Sequence, residues 1–341
     1  MLLSDLTMLA GVSGNETAVR EYIYRIIKDK CDEITIDSMG NMCALMRGTD
    51  KNPKKVMLCA HMDEIGMITS QITDNGFIKF KTVGGIDPRI MVSKRVLIGK
   101  NAHPGVIGYK AVHLQDKAER ETTAKAKNLY IDIGAKDKKD AEKRVKIGDY
   151  IVFDSDYREF GNGLIKARAL DDRAGCAVLA ELAGQRFNFD LYLCFTVQEE
   201  IGLRGATIAT NRIHPDLAIV LEATTCSDVA GTKPEERSTV LGGGAAISFI
   251  DRSTYYNKKL THFLYQLADT NHIPVQYKQT AMGGNDAGSI HLACGGIPTA
   301  AISIPARYIH SPSSVIIKTD FNACRSLVKL FLQEANTCLN Y

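Results

Sequence analysis

The chain has 341 residues, 45% hydrophobic and 24% charged, which is globular material too long for one small domain and suggests two of about 150 residues each. Its 42 Lys plus Arg against 39 Asp plus Glu leave a formal charge of +3, too small and too evenly spread for a nucleic-acid or polybasic membrane surface. Apolar runs such as LYLCFTV fall well short of the roughly 20 residues that a membrane-spanning helix needs. The start, MLLSDLTMLAGVSG, lacks the basic leader of a secretory signal. Nine cysteines are scattered without a CxxC pair, and some, such as Cys59 and Cys194, sit inside apolar runs where a free thiol packs as a small core residue. A reducing cytoplasm is the expected compartment.

In chain order, NETAVREYIYRIIKDK (15–30) places Val19, Tyr22, Ile23, Ile26 and Ile27 at helical spacing, and GVSG before it is a turn after an N-terminal helix. EITIDSMGNMCALMRG and KKVMLCAHMDEIGMITS are short apolar runs broken by Gly, Asn or Asp, and predict strands. From about Ser70 to Gly163 the texture changes to short strand candidates (FIKFKTV, RVLIGK, GVIGYKAV, NLYIDIGA, DYIVFD) with Gly turns and one charged helical piece, KDKKDAEKRV. This predicts a small β-rich domain over 70–163, inserted into a main domain made of 1–69 and 164–341. KAERETTAKAK (117–127) predicts a solvated loop or a mobile flap. After Ala167 helices alternate with strands: DDRAGCAVLAELAGQ, DLYLCFTVQ, LRGATIATNR, DLAIVLE, NKKLTHFLYQLADTN, IPVQYKQ, NDAGSIHLA, PTAAISIP and FNACRSLVKLFLQEAN. That alternation is the mark of an α/β domain, a mostly parallel sheet flanked by helices on both faces.

In such a sheet ligands bind beyond the carboxyl ends of the strands. There lie His61 with Asp63 two residues on, Glu199 and Glu200, Glu222, and the loop carrying His310; Asp171 and Asp172 open the helix after the insert. Taken singly each has an ordinary role: a helix cap, a solvated strand end, a loop histidine. Their coincidence at one edge after strongly apolar strands changes the odds, because like charges are not buried together without cations. If Asp171 bridges, His61 and Glu222 complete one site and Glu200 and His310 the other. Each ion then has three protein ligands and an open position, the pattern of a catalytic zinc site. Three carboxylates and a bridging hydroxide offset two divalent charges. Nitrogen and oxygen ligands without thiolate suit zinc, cobalt or manganese. Asp63 faces the same way as His61 and can accept its far ring N–H. Glu199 is then the general base.

At these residues the sequence resembles the cytosolic dinuclear metallo-aminopeptidases that assemble as tetrahedral particles (peptidase family M42), which include glutamyl, leucyl and lysyl aminopeptidases and some chains named endoglucanases. The matching segments run nearly end to end: GVSGNE with VREYI, DSMGN, HMDEIG, LYIDIGA, IGDYIVF, ALDDRAG, FTVQEEIGLRGA, GGNDAGSIH, GIPTAAISIPARYIHSP and the final helix. Carried over by position, the resemblance implies His61, Asp171, Glu200, Glu222 and His310 as metal ligands, Asp171 bridging, and Glu199 as base. It also implies a zinc-exopeptidase-like catalytic domain, a small β-barrel-like insert that mediates dimer contacts, and a homo-oligomer, a dodecamer built from dimers, acting on short peptides. The chain departs from the family pattern at Glu222, where many relatives have Asp, at Asn285, where Thr is common, and at Gly243 and Ala245, where a GxGP pattern is frequent. These bear on side-chain preference.

The expected activity is a metal-dependent aminopeptidase that removes N-terminal residues with a water activated by two metal ions. Its rivals are another amide or glycoside hydrolase on the same scaffold and a catalytically silent assembly protein. A GxSxG elbow, a GxGxxG fingerprint, a phosphate loop and an HExxH pair are all missing. Cys176, beside Gly175, is read as packing.

Overall fold

The computed structural model describes residues 2–339. The N-terminal helix Leu2–Met8 and the helix Thr17–Ile27 come first; Val19, Ile23 and Ile27, four residues apart, share the buried face of the second. The main sheet has eight strands in the spatial order Glu33–Ile36, Met42–Met46, Asp190–Thr196, Lys55–His61, Leu217–Thr225, Thr299–Ala306, Ala245–Ile247, Val275–Tyr277. The four strands from Asp190–Thr196 to Thr299–Ala306 are mutually parallel, as the strand and helix alternation predicts. The flanks are not: Met42–Met46 and Ala245–Ile247 run antiparallel to their inner neighbours, which makes the sheet mixed. A tight turn joins Glu33–Ile36 to Met42–Met46, and such a turn permits only antiparallel pairing.

The central strands are buried nearly throughout because helices cover both faces. On one face Leu58, Leu193, Leu221 and Ile302 pack against residues of the helices Leu170–Leu182, Lys258–Thr270 and Lys318–Glu334. On the other, Met57, Cys59, Cys194 and Val220 meet Ala206, Ala209 and Ile213 of the helix Arg204–Ile213 and Ala287 and Ile290 of the helix Ala287–Ile290. The last helix is shorter than NDAGSIHLA suggests, since Cys294 follows at φ 51° in a separate turn. All nine cysteines are free thiols, and Cys176 is fully buried.

A second unit closes on itself: Gly66–Ile72, Ile78–Val83, Tyr130–Asp132, His103–Gly108, Arg95–Ile98 and Tyr150–Phe153 form a six-stranded barrel. Its interior holds Met67, Ile78, Val96, Ile98, Ile107, Ile131 and Ile151, and Ala141 and Val145 seal it. The segment read as a loop or flap contains instead a short helix, Lys117–Glu121. Asp116 accepts from the Glu119 N–H while Glu119 returns a bond to the Asp116 N–H, and this reciprocal cap stabilises a turn that the charged composition hides. Among the described residues no helix is long and apolar enough to cross a membrane.

Candidate metal centre

Register brings the first site residues level. Thr196 pairs with His61 across the parallel strands, and Val220 pairs with Cys59, so Glu222 stands where His61 stands. Both side chains take the face of the short helix Ala287–Ile290, since Leu221 and Ala223 point into the opposite core.

Asp171 and Asp172 divide the work at the start of their helix. Their backbones are not helical, Ala169 before them sits at φ 52°, and the regular turn begins beyond. Asp172 Oδ1 accepts from the Gly175 N–H at 2.8 Å, so Asp172 caps the helix. A Cβ on Gly175 would stand 2.4 Å from that carboxylate, and only glycine fits there. Asp171 is thereby released toward the histidines: Oδ1 lies 3.1 Å from His61 Nε2 and Oδ2 lies 3.5 Å from His310 Nε2. His61 Nε2 is also 3.4 Å from Glu222 Oε1, and His310 Nε2 is 3.3 Å from Glu200 Oε2. The five expected ligands therefore converge on one place, with Asp171 central.

The strand that leads to Glu199 and Glu200 stops at Thr196, and Gln198 turns the chain at φ 56°. Asp63 holds the turn: its carboxylate accepts from the Glu199 N–H at 3.0 Å, the Glu200 N–H at 3.1 Å and the Ser13 hydroxyl at 2.6 Å. His61 Nδ1 lies 3.1 Å from the Asp63 carbonyl oxygen and 3.4 Å from its carboxylate, so the backbone is the better-placed acceptor. His310 is presented by a loop in which Tyr308 and His310 both take φ 57°.

Two acidic groups were not singled out as ligands from sequence. Asp172 lies within ligand spacing of His61 and Glu222, and its Oδ2 is buried without a hydrogen-bond partner. Asp286 accepts from the Thr196 hydroxyl at 2.6 Å and from the Cys59 thiol at 3.4 Å, while its Oδ1 is likewise orphaned. The signal for Asp286 was present in GGNDAG, but an aspartate before a short helix reads first as a cap.

Electrostatics follow from this crowding. Burial, and behind it the Asp171 charge, pushes Glu222 well above the usual carboxylate range. Burial also raises Glu199 well up, with Asp286, Glu200 and Asp171 adding to it against the His61 charge. Glu200 is raised to about 8 by burial and Asp171 against the His310 charge, and burial raises Asp286 to about 6. Burial opposes charge on both histidines, but their carboxylate neighbours win: His61 rises well above its ordinary value and His310 to about 9. Burial alone would raise Asp171, yet hydrogen bonds from His310 and His61 hold it well below the carboxylate range. Buried acids that crowd one another, two with an unpartnered oxygen, together with two imidazoles and no thiolate, suit divalent cations.

Fold and cluster together define an α/β protein with a hydrolase-type site at the carboxyl edge of its parallel strands. Residues 40–327 match the M42 glutamyl aminopeptidase family, and the chain belongs to it: it is an aminopeptidase, a hydrolase of the exopeptidase kind. It is similar to a candidate aminopeptidase of Acetivibrio thermocellus at 41% identity over 97% of each chain. A glutamyl aminopeptidase of Lactococcus lactis is 30% identical over 97% of this chain and 95% of its own. A lysyl aminopeptidase of Pyrococcus furiosus is 29% identical over 98% and 96%. Among solved structures, an aminopeptidase of Desulfurococcus kamchatkensis superposes with a TM-score of 0.93 at 35% identity, covering 98% of this chain and 94% of that one. The TET1 peptidase of Pyrococcus horikoshii, which can assemble into a tetrahedron or a large octahedral shell, gives 0.85 at 30% identity over 97% and 98%. A Thermotoga maritima protein named endoglucanase gives 0.82 at 37% identity over 98% and 97%.

Proposed function

We propose that the chain removes N-terminal residues from short peptides with two divalent metal ions, zinc, cobalt or manganese. His61 and Glu222 hold one ion, Glu200 and His310 the other, and Asp171 is shared. The observation that carries this reading is the Asp171 carboxylate, whose two oxygens face two different histidines at 3.1 and 3.5 Å. When bound, the ions supply Lewis acidity that lowers the pKa of water and polarises the scissile carbonyl.

Glu199, raised by burial, is suited to take a proton from the attacking water at its carboxylate and return it to the leaving amine. Asp63 positions that carboxylate by gripping the Glu199 and Glu200 backbones. The catalytic unit in this reading is 1–69 with 164–341, and the insert 70–163 mediates dimer contacts within a cytoplasmic dodecamer. Light scattering on the purified protein tests the assembly.

The activity is tested on aminoacyl-p-nitroanilides and on a cellulosic substrate, before and after chelation and with each metal restored. Chelator-sensitive release of p-nitroaniline supports the reading. Chelator-resistant cleavage of the cellulosic substrate would favour glycoside hydrolysis instead. Turnover of neither would leave an assembly protein.

A further inference from the structure

The hairpin that presents His310 has a neighbour besides the metal cluster. Arg307 and Val315 close it by exchanging both backbone hydrogen bonds, at 2.9 and 3.0 Å, and the Arg307 guanidinium anchors its outgoing arm to Asp228 at 2.6 and 2.7 Å. The return arm, through Pro312 and Ser313, instead lines a cavity of about 270 Å³ at the seam between hairpin and barrel. The barrel supplies residues 93–95 and 154–156, the adjoining ends of its paired strands Arg95–Ile98 and Tyr150–Phe153. Lys166 completes the wall; its strand, Leu164–Ala167, pairs with Ser314–Ile317 just past the hairpin.

Charge and hydrogen bonding decide what this cavity takes. Its two carboxylates are already engaged, Asp154 by Arg95 at 3.2 Å and Asp156 by Lys166 at 2.7 Å and by Arg158 at 2.6 Å. Lys94 forms no ion pair among the described residues, so its ammonium is surplus positive charge. Ser155 is 8% exposed, and its Oγ is buried without a hydrogen-bond partner. A buried hydroxyl left unpaired costs free energy, and a ligand that accepts from it removes that cost. Ser93, held at φ 63° with its N–H on the Ile107 carbonyl oxygen, and Ser313 bring further hydroxyls to the same wall. A cation would be repelled by Lys94, and an apolar group would leave Ser155 unpaired. An oxyanion accepts from ammonium and hydroxyls together, and from several directions at once.

We propose that the cavity is a binding site for a phosphate-like oxyanion, held by the Lys94 ammonium and the Ser155 hydroxyl, and that the bound anion ties the return arm of the His310 hairpin to the barrel. The barrel also meets the tip of the hairpin, since a Cβ on Gly85 would stand 3.5 Å from His310 Nδ1. The anion would thus restrain the one arm that the Arg307–Asp228 pair does not hold. The site uses neither the metal ligands nor the peptide substrate, and it stands apart from the aminopeptidase reading.

The test is amide exchange of the metal-loaded, full-length protein, titrated with inorganic phosphate at constant ionic strength. Phosphate in the millimolar range should slow exchange over 93–95, 154–156 and 311–315 together, and the titration of that protection gives Kd. Lys94→Met should raise Kd at least about 10-fold, and Lys94→Arg should retain most of the affinity. Ser155→Ala should weaken binding several-fold while leaving the Tm of the phosphate-free protein unchanged, so that the loss is one of affinity and not of fold. A parallel titration with O-phosphoserine separates two sources of the same chemistry: tighter binding than phosphate identifies a phosphate monoester as the ligand, weaker binding the free ion. Protection confined to the hairpin would place phosphate on the metals and overturn the site. So would a Lys94→Met Kd equal to that of wild type, or exchange that phosphate does not alter.

Discussion

Glu199 and Glu200 are chain neighbours with different tasks, and the difference is made by where each carboxylate ends. Glu200 Oε2 reaches His310, whereas Glu199 takes part in no ion pair among the described residues and is kept raised by burial. A Glu199→Gln enzyme should therefore keep its metal, as elemental analysis would show, and lose at least about 10²-fold in kcat/KM, the usual worth of a positioned acid–base group. Turnover near wild type would remove Glu199 from the mechanism. Asp63 gives a second expectation. An asparagine there offers one acceptor oxygen and turns a donating NH2 toward the Glu199 or Glu200 N–H, so one of those bonds becomes a clash of donors. Asp63→Asn should weaken metal affinity by about 10- to 100-fold in a competition titration; unchanged affinity would show that the grip on the glutamates does not matter. The five ligand candidates were legible because each follows an apolar run or opens a helix. Asp172 and Asp286 were not, because one really does cap a helix and the other lies next to one.

At the scale of elements, the strands were legible for the same reason that they are buried: a central strand covered on both faces is a continuous apolar run. Their spatial order was not, since Asp190–Thr196 enters between Met42–Met46 and Lys55–His61 from far along the chain, and no local pattern encodes such a pairing. Nor did anything in the sequence announce how the N-terminal helix is fastened. Arg173, fully buried, donates to the carbonyl oxygens of Met62 at 2.8 Å, Leu6 at 2.6 Å and Leu9 at 3.0 Å, and its guanidinium lies 3.5 Å from Glu64, which Arg168 also engages at 2.9 Å. This network joins Leu2–Met8 to the residue after His61, so packing and site share one support. Arg173→Met removes the cation and leaves Glu64 and three carbonyls short of donors. A loss of about 3–5 kcal/mol is expected by denaturant titration, with faster amide exchange over Leu2–Met8. A change under about 1 kcal/mol would mean that the helix is held by its apolar contacts alone.

At the scale of the whole molecule, the cluster makes stability depend jointly on metal and pH. In the metal-free protein Glu200 sits at about 8, above its unfolded value near 4.5, so between those values the folded chain binds more protons than the unfolded one. His310 at about 9 does the same from its unfolded value near 6.5. A state that binds more protons loses stability as pH rises, so from pH 6 to pH 9 both groups take stability from the metal-free fold. Metal acts in the opposite sense, because its ligands must be deprotonated: binding at pH 7 should release protons, and affinity should grow with pH. A ligand that binds only the folded state adds about 2.7 kcal/mol when present at a hundred times its Kd, and that gain enlarges as Kd falls. The chelated protein should thus melt at progressively lower temperature from pH 6 to pH 9, while the rise in Tm on adding zinc or cobalt should be larger at pH 8 than at pH 6. Calorimetry of metal binding in two buffers of different ionisation enthalpy should register net proton release at pH 7. Proton uptake, or a Tm increment that shrinks as pH rises, would mean that the raised carboxylate and imidazole are not the groups that meet the metal.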